Sequence, residues 1–164
     1  MSQLYIKQKV FSIGDKYTVT DAQQRPQYAV AGSLFKIPKE FVISNMAGQA
    51  VGKITQRMFQ FLPKFTVSLG GRDVAVISKR FSLFRPSYDI DAFGLTIQGN
   101  FWDMNFTVLR NGQQVAQVDQ RWLSWGDTYE INVADESLEL LIVSLTVAID
   151  YVKQEEADTS NSSV

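Results

Sequence analysis

The chain has 164 residues, 45% apolar and 20% charged, with a net charge of −1 and neither Cys nor His. These absences exclude a disulfide scaffold, a thiolate nucleophile, Cys-based metal centres and His-based acid–base catalysis. The charge is unevenly spread: residues 1–90 carry 13 Lys/Arg against 5 Asp/Glu, and residues 91–164 carry 3 against 12. Such asymmetry marks either a face for anionic partners or two halves of one sheet that attract each other.

The N-terminal stretch Met1–Lys9 alternates apolar and polar residues and lacks the uninterrupted apolar run of a signal peptide, so it reads as a strand. Further strands are predicted at Tyr17–Thr20, Phe41–Ile43, Phe65–Leu69, Val74–Ile77, Leu95–Ile97, Phe106–Leu109 and Tyr129–Val133. All are short, rich in β-branched or aromatic residues, and bounded by turn signals. Gly70-Gly71 and Asn111-Gly112 suit two-residue hairpins, because Gly and Asn tolerate positive φ. Gln24-Arg25-Pro26 and Ala47-Gly48-Gln49 are further turns. The stretches 19–30, 43–54 and 108–118 repeat one grammar of strand, polar turn and strand. About a dozen strands between Leu4 and Val133 follow from this pattern, spaced as in all-β folds.

The stretch Leu138–Val152 breaks the pattern. Eleven of its fifteen residues are apolar, and they cover nearly the whole helical wheel. The competing reading is a buried strand pair; length without an internal turn residue favours a helix. Asp135 or Ser137 supplies an N-cap, and Lys153 suits the other end. The run is shorter than the roughly 20 residues of a bilayer span, so no transmembrane segment is expected. A helix apolar on every side must be buried on every side, and a β chain offers it no helical partner. The sheet must therefore wrap it, in a tube wider than a self-filled eight-stranded barrel. The expected fold is mainly β: a closed barrel of about twelve strands around one central hydrophobic C-terminal helix at about 137–153. Residues 1–153 form the domain, and the acidic segment 154–164 is expected to be disordered.

Several segments together resemble the LURP-one-related family of the Tubby C-terminal-like superfamily, as a bacterial-type member. They are Phe11–Asp21, the stretch Ser78-Lys79-Arg80-Phe81-Ser82-Leu83-Phe84, Tyr88–Ile90, Ile97–Phe101, Trp125–Val133 and the terminal helix closing in Val147-Ala148-Ile149-Asp150. The resemblance spans about residues 4–152 and implies a twelve-stranded barrel enclosing a helix. It implies little about activity. Tubby proteins bind phosphoinositides, and scramblases are membrane-linked through Cys-rich palmitoylation sites that this chain lacks. No ligand residue of either group transfers onto this sequence.

The candidate anion-binding residues are Lys53, Arg57, Lys64, Arg72, Lys79, Arg80 and Arg85, since phosphate recognition wants several converging Lys/Arg. The alternative is a solvated strand face in which Lys discourages edge pairing. Asp89 and Asp91 fall short of the oxygen ligands that a hard cation needs, and no metal or cofactor is expected. Asp150, late in the apolar helix, needs a partner such as a loop amide or Arg121; Asp127 reads as a turn residue. Trp102, Trp122 and Trp125, with eleven Phe and six Tyr, are read as mostly core filler, and nucleic acid is disfavoured as a partner. Gly70-Gly71-Arg72 lacks P-loop spacing, and no Gly-x-Ser-x-Gly elbow exists. The expected function is a non-enzymatic binding or scaffold module for anionic phospholipid headgroups or phosphorylated partners, cytoplasmic or peripheral at a membrane. The alternatives are a protein–protein adaptor and, last, a carboxylate-based enzyme. A barrel plugged by a helix places any site on the rim or outer wall.

Overall fold

The computed structural model describes residues 1–8, 14–92, 94–123 and 126–162. Its strands are β1 (Ser2–Gln8), β2 (Lys16–Asp21), β3 (Pro26–Gly32), β4 (Glu40–Asn45), β5 (Ala50–Gln56) and β6 (Lys64–Leu69). They continue with β7 (Arg72–Arg80), β8 (Ser87–Asp91), β9 (Leu95–Asn100), β10 (Asn105–Arg110), β11 (Gln113–Leu123) and β12 (Gly126–Val133). A 3-10 turn, Glu136–Leu138, leads into the single helix α1, Glu139–Ser162.

The strands form one antiparallel sheet in sequence order, and β1 pairs with β12 through Leu4↔Ile131 and Ile6↔Tyr129. The hydrogen-bonded order begins at β8 and ends at β9, so the barrel is nearly closed where full closure was expected. Across that seam the rings of Tyr88 and Phe101 meet edge-on at 5.2 Å.

Alternate residues point inward because side chains in a strand have period two. Leu4 and Ile6, Tyr17 and Val19, Phe41 and Ile43, Phe65 and Val67, and Ile131 and Val133 all face the core. Every residue from Leu141 to Asp150 is buried. Each fully buried Leu, Ile or Val contributes about 2 kcal/mol, which explains how a helix without helical neighbours is held. Ser144 and Thr146 return their hydroxyls to the carbonyls of Leu140 and Ile142 at 2.7 and 2.8 Å, so neither is a polar orphan. Asp135 is the N-cap residue, accepting the Ser137 backbone N–H at 3.0 Å.

The helix does not stop at Lys153. It runs on to Ser162, so residues 154–162 of the segment expected to be disordered are helical, exposed from Glu155 onward, and Lys153 lies inside the helix. Once the buried turns have formed, adding a residue costs far less than starting a helix, and Gln154, Glu155, Glu156 and Ala157 are good helix formers.

Antiparallel order sorts the connections onto two ends. One end carries the tight turns at 22–25, 46–49, 70–71 and 111–112, together with the start of α1. The other carries the longer loops at 33–39, 57–63 and 81–86, the turn at 101–104, and the emerging C-terminal half of α1. We call this second end the mouth.

Candidate functional site at the barrel mouth

Among the described residues, every exposed large apolar side chain except Met1 and Met46 stands at the mouth. Leu34, Phe35 and Ile37 come from the β3–β4 loop, and Met58, Phe59 and Phe61 from the β5–β6 loop. Phe81, Leu83 and Phe84 come from the β7–β8 loop, and Trp102 from the β9–β10 turn. Phe35, Phe59, Phe61 and Phe84 are 94–98% exposed, almost the maximum for a folded chain. Patches of this kind mark interaction sites. Phe59 also holds a left-handed backbone, φ 60°, which is unusual for a bulky residue and costs about 1 kcal/mol.

The aromatic side chains thus divide, and the reading of them as core filler is corrected for the loops. Strand aromatics such as Tyr17, Phe41, Phe65 and Phe106 are buried, as is Phe101 of the β9–β10 turn, while Phe35, Phe59, Phe61, Phe81, Phe84 and Trp102 of the loops face solvent. Trp125, the stretch 9–13 including Phe11, and the side chains of Trp122 and Asp127 lie outside the described residues.

Of the candidate cations, five stand at the mouth and two do not. Lys53 points outward from the middle of β5, 3.7 Å from Glu40, which also receives Lys36 at 2.9 Å. A hydrogen bond from Lys36, helped by the charge of Lys53, holds the Glu40 carboxyl below its ordinary range. Arg72 opens β7 beside Gly70-Gly71, at the far end. Lys79 and Arg80 close β7 at the mouth and are already engaged, Lys79 with Glu156 of α1 and Arg80 with Asp89 at 2.9 Å. Arg57, Lys64 and Arg85 are at the mouth, and among the described residues none has an ion-pair partner. Arg57 is steadied by donating Nε–H to Thr66 Oγ1 at 2.9 Å. Lys39 is tied down by Asp15 at 2.6 Å and the Ser33 carbonyl at 2.7 Å, and it lies 5.4 Å from the ring centres of Phe41 and Tyr151.

Sequence reasoning missed the apolar rim, though a signal for it exists. Leu34-Phe35-Lys36-Ile37-Pro38, Met58-Phe59-Gln60-Phe61-Leu62-Pro63 and Phe81-Ser82-Leu83-Phe84-Arg85-Pro86 are all apolar clusters closed by Pro. Pro removes a ladder donor, so such clusters fall outside the strands, where apolar residues have no core to enter.

Below the rim, Asp150 is buried and accepts hydrogen bonds from Tyr17 Oη at 2.7 Å, from Tyr129 Oη and from the Gln154 amide. Arg121, the partner suggested for it, instead pairs with Glu130 at 2.8 Å. At the other end of the helix Tyr28 donates to Glu139 at 2.9 Å. A helix apolar all round has little reason to prefer one rotation or depth, so these polar contacts at both ends set its register.

Burial, and then the negative charge of Asp150, push the Tyr17 hydroxyl far above its ordinary pKa of 10.0. Burial raises Tyr28 and Tyr151 to about 12. A raised folded-state pKa contributes stability that is complete below the unfolded value and is lost as pH rises towards the folded one. The urea midpoint is therefore expected to hold steady up to pH 10 and fall steadily above it. Tyr17→Phe should flatten that fall, and an unchanged slope in this variant would show that Tyr17 is not among its causes.

This architecture defines a class: a β-barrel filled by its own C-terminal helix, with an apolar and basic rim where the helix emerges. Residues 2–150 match the LURP-one-related family, and the chain belongs to it. It is 29% identical over 161 residues to "Uncharacterized protein YxjI" of Bacillus subtilis (strain 168), covering 98% of this chain and 99% of that protein. The X-ray structure of the Arabidopsis thaliana protein AT5G01750 has the same fold, with a TM-score of 0.66 at 17% identity over 92% of this chain and 91% of that one.

Proposed function

We propose that the chain is a non-enzymatic module that docks, mouth first, on anionic phospholipid surfaces. The observation that carries this reading is the coincidence, on one end, of loop aromatics and unpaired cations. No helix among the described residues is long and apolar enough to cross a membrane, and the attachment proposed here runs through the loops of the mouth. Phe and Leu on separate loops can enter the acyl boundary, while Arg57, Lys64 and Arg85 meet lipid phosphates and Trp102 sits at headgroup level. The cytoplasmic leaflet is the surface with the matching charge.

Each cation near such a surface contributes about 1 kcal/mol. Reversing Arg57, Lys64 and Arg85 to Glu should therefore weaken sedimentation with phosphatidylserine vesicles by roughly 100-fold or more. Lys53→Glu and Arg72→Glu, away from the mouth, should change it little. Equal losses in both sets would mean that general charge, and not the mouth, governs binding. No association of the intact protein with these vesicles at low salt, alongside a protein partner retained at high salt, would favour the adaptor reading.

A further inference from the structure

A cavity of about 790 Å³ opens at the mouth beside the β8–β9 seam. Its apolar walls are Pro63, Pro86, Tyr88, Phe101, Ile149 and Val152. Its volume falls within the range of about 300–1,000 Å³ typical of small-molecule sites. Tyr88 and Phe101, packed edge-on, form the wall at the seam. Trp102 and Pro86 border both this cavity and the adjoining hollow under Phe81, Leu83 and Phe84. The cavity is thus continuous with the rim assigned to the membrane.

We propose that this cavity takes one acyl chain of a phospholipid. The inference extends the membrane-docking reading, which places lipid at the opening, but the cavity's own affinity is a separate quantity. Gln56, Gln120, Thr159 and Ser160 supply the polar part of the lining, and the apolar walls named above would strip a wholly polar metabolite of water without replacing all its hydrogen bonds. A flexible hydrocarbon needs no such partners. The chemistry of the opening then separates two sources of chain. Asp103, Glu155 and Glu156 border it against Lys153, and Glu156 is joined by Lys79. With Arg57, Lys64 and Arg85 one residue from the lining Gln56, Pro63 and Pro86, the opening offers both charges, and a free fatty-acid carboxylate answers only one of them. A zwitterionic headgroup carries no net charge, and its cationic end suits Glu155 and Asp103.

The test uses the full chain and lysophosphatidylcholine below its micelle-forming concentration, followed by calorimetry. Saturable binding of one molecule per chain is expected, with palmitate at least about tenfold weaker. Ala157 and Thr159 line the cavity from the exposed part of α1, so bulk there fills it without touching the core. Ala157→Trp and Thr159→Trp should each weaken lysophosphatidylcholine by about tenfold or more with an unchanged melting midpoint. The rim variant Phe59→Ser/Phe61→Ser/Phe84→Ser should keep that affinity while losing vesicles, which separates failure of the cavity from failure of the docking surface. No saturable binding by the unaltered chain, or unchanged affinity in both Trp variants, overturns the proposal. Palmitate binding as tight as lysophosphatidylcholine overturns the assignment to an esterified chain.

Discussion

Serine at Phe59, Phe61 and Phe84 together should reduce binding to phosphatidylserine vesicles at least 1,000-fold while leaving the folded state intact. The magnitude follows from burial. Moving one Phe side chain from water into an apolar phase is worth about 1.5–3 kcal/mol, so three supply on the order of 6 kcal/mol, more than the roughly 3 kcal/mol expected from three interfacial cations. All three side chains are 95–98% or, for Phe84, 94% exposed, so removing them takes nothing from the core. The two contributions also differ in their response to salt. Charge contacts are screened within about 8 Å at physiological ionic strength, whereas apolar insertion is not. The unaltered protein should therefore keep part of its vesicle binding at high salt, and the Ser variant should keep none. A Ser variant that binds as well as the parent would remove the apolar rim from the mechanism and leave charge alone.

Asp150→Ala should destabilise the fold by about 4 kcal/mol, because it removes the carboxylate whose two oxygens accept from two buried tyrosine hydroxyls. That is a large part of the roughly 5–15 kcal/mol that holds a domain of this kind together. Asp150→Asn retains an acceptor oxygen and should cost less than half as much. Tyr129→Phe removes one donor and should cost about 1 kcal/mol. Urea denaturation of the three variants gives the order directly. If Asp150→Ala unfolds at the parental midpoint, this polar cluster does not fix the helix, and shape alone must set its depth in the barrel.

The two results bear on one design. The cluster around Asp150 lies where the helix passes from the enclosed interior to the mouth, and Gln154, one turn on, joins it to Gln8 of β1 at 2.9 Å. Holding the helix at a set depth also sets where Glu155 and Glu156 stand relative to the loops. The Lys79–Glu156 pair depends on that depth, and so does the shape of the cavity beside the seam.

Most strands were legible because they carry their own alternation. Phe41 and Ile43 or Phe65 and Val67 declare an inward face without reference to any other segment, and Gly70-Gly71 and Asn111-Gly112 declare their turns. The apolar helix was legible for the same local reason, and the need to bury every side of it implied the barrel. Gly99 shows the limit of such reading. At φ +142°, a Cβ there would fall 2.6 Å from the Asn105 carbonyl oxygen and 2.7 Å from the Phe106 Cα, a demand set entirely by the neighbouring strand.

The mouth belongs to the other category. Nothing in the sequence separates Lys53 from Lys64 or Arg72 from Arg57 and Arg85, and only antiparallel order sends them to a wall, a far turn and a rim. The two tyrosine partners of Asp150 stand 133 and 21 residues away in the chain, beyond any local pattern. Periodicity is a property of neighbours in sequence, so it determined strands, turns and the buried helix. Convergence is a property of neighbours in space, so only the closed-up sheet decided which aromatics reach solvent, which cations stay unpaired and which carboxylate meets two tyrosines.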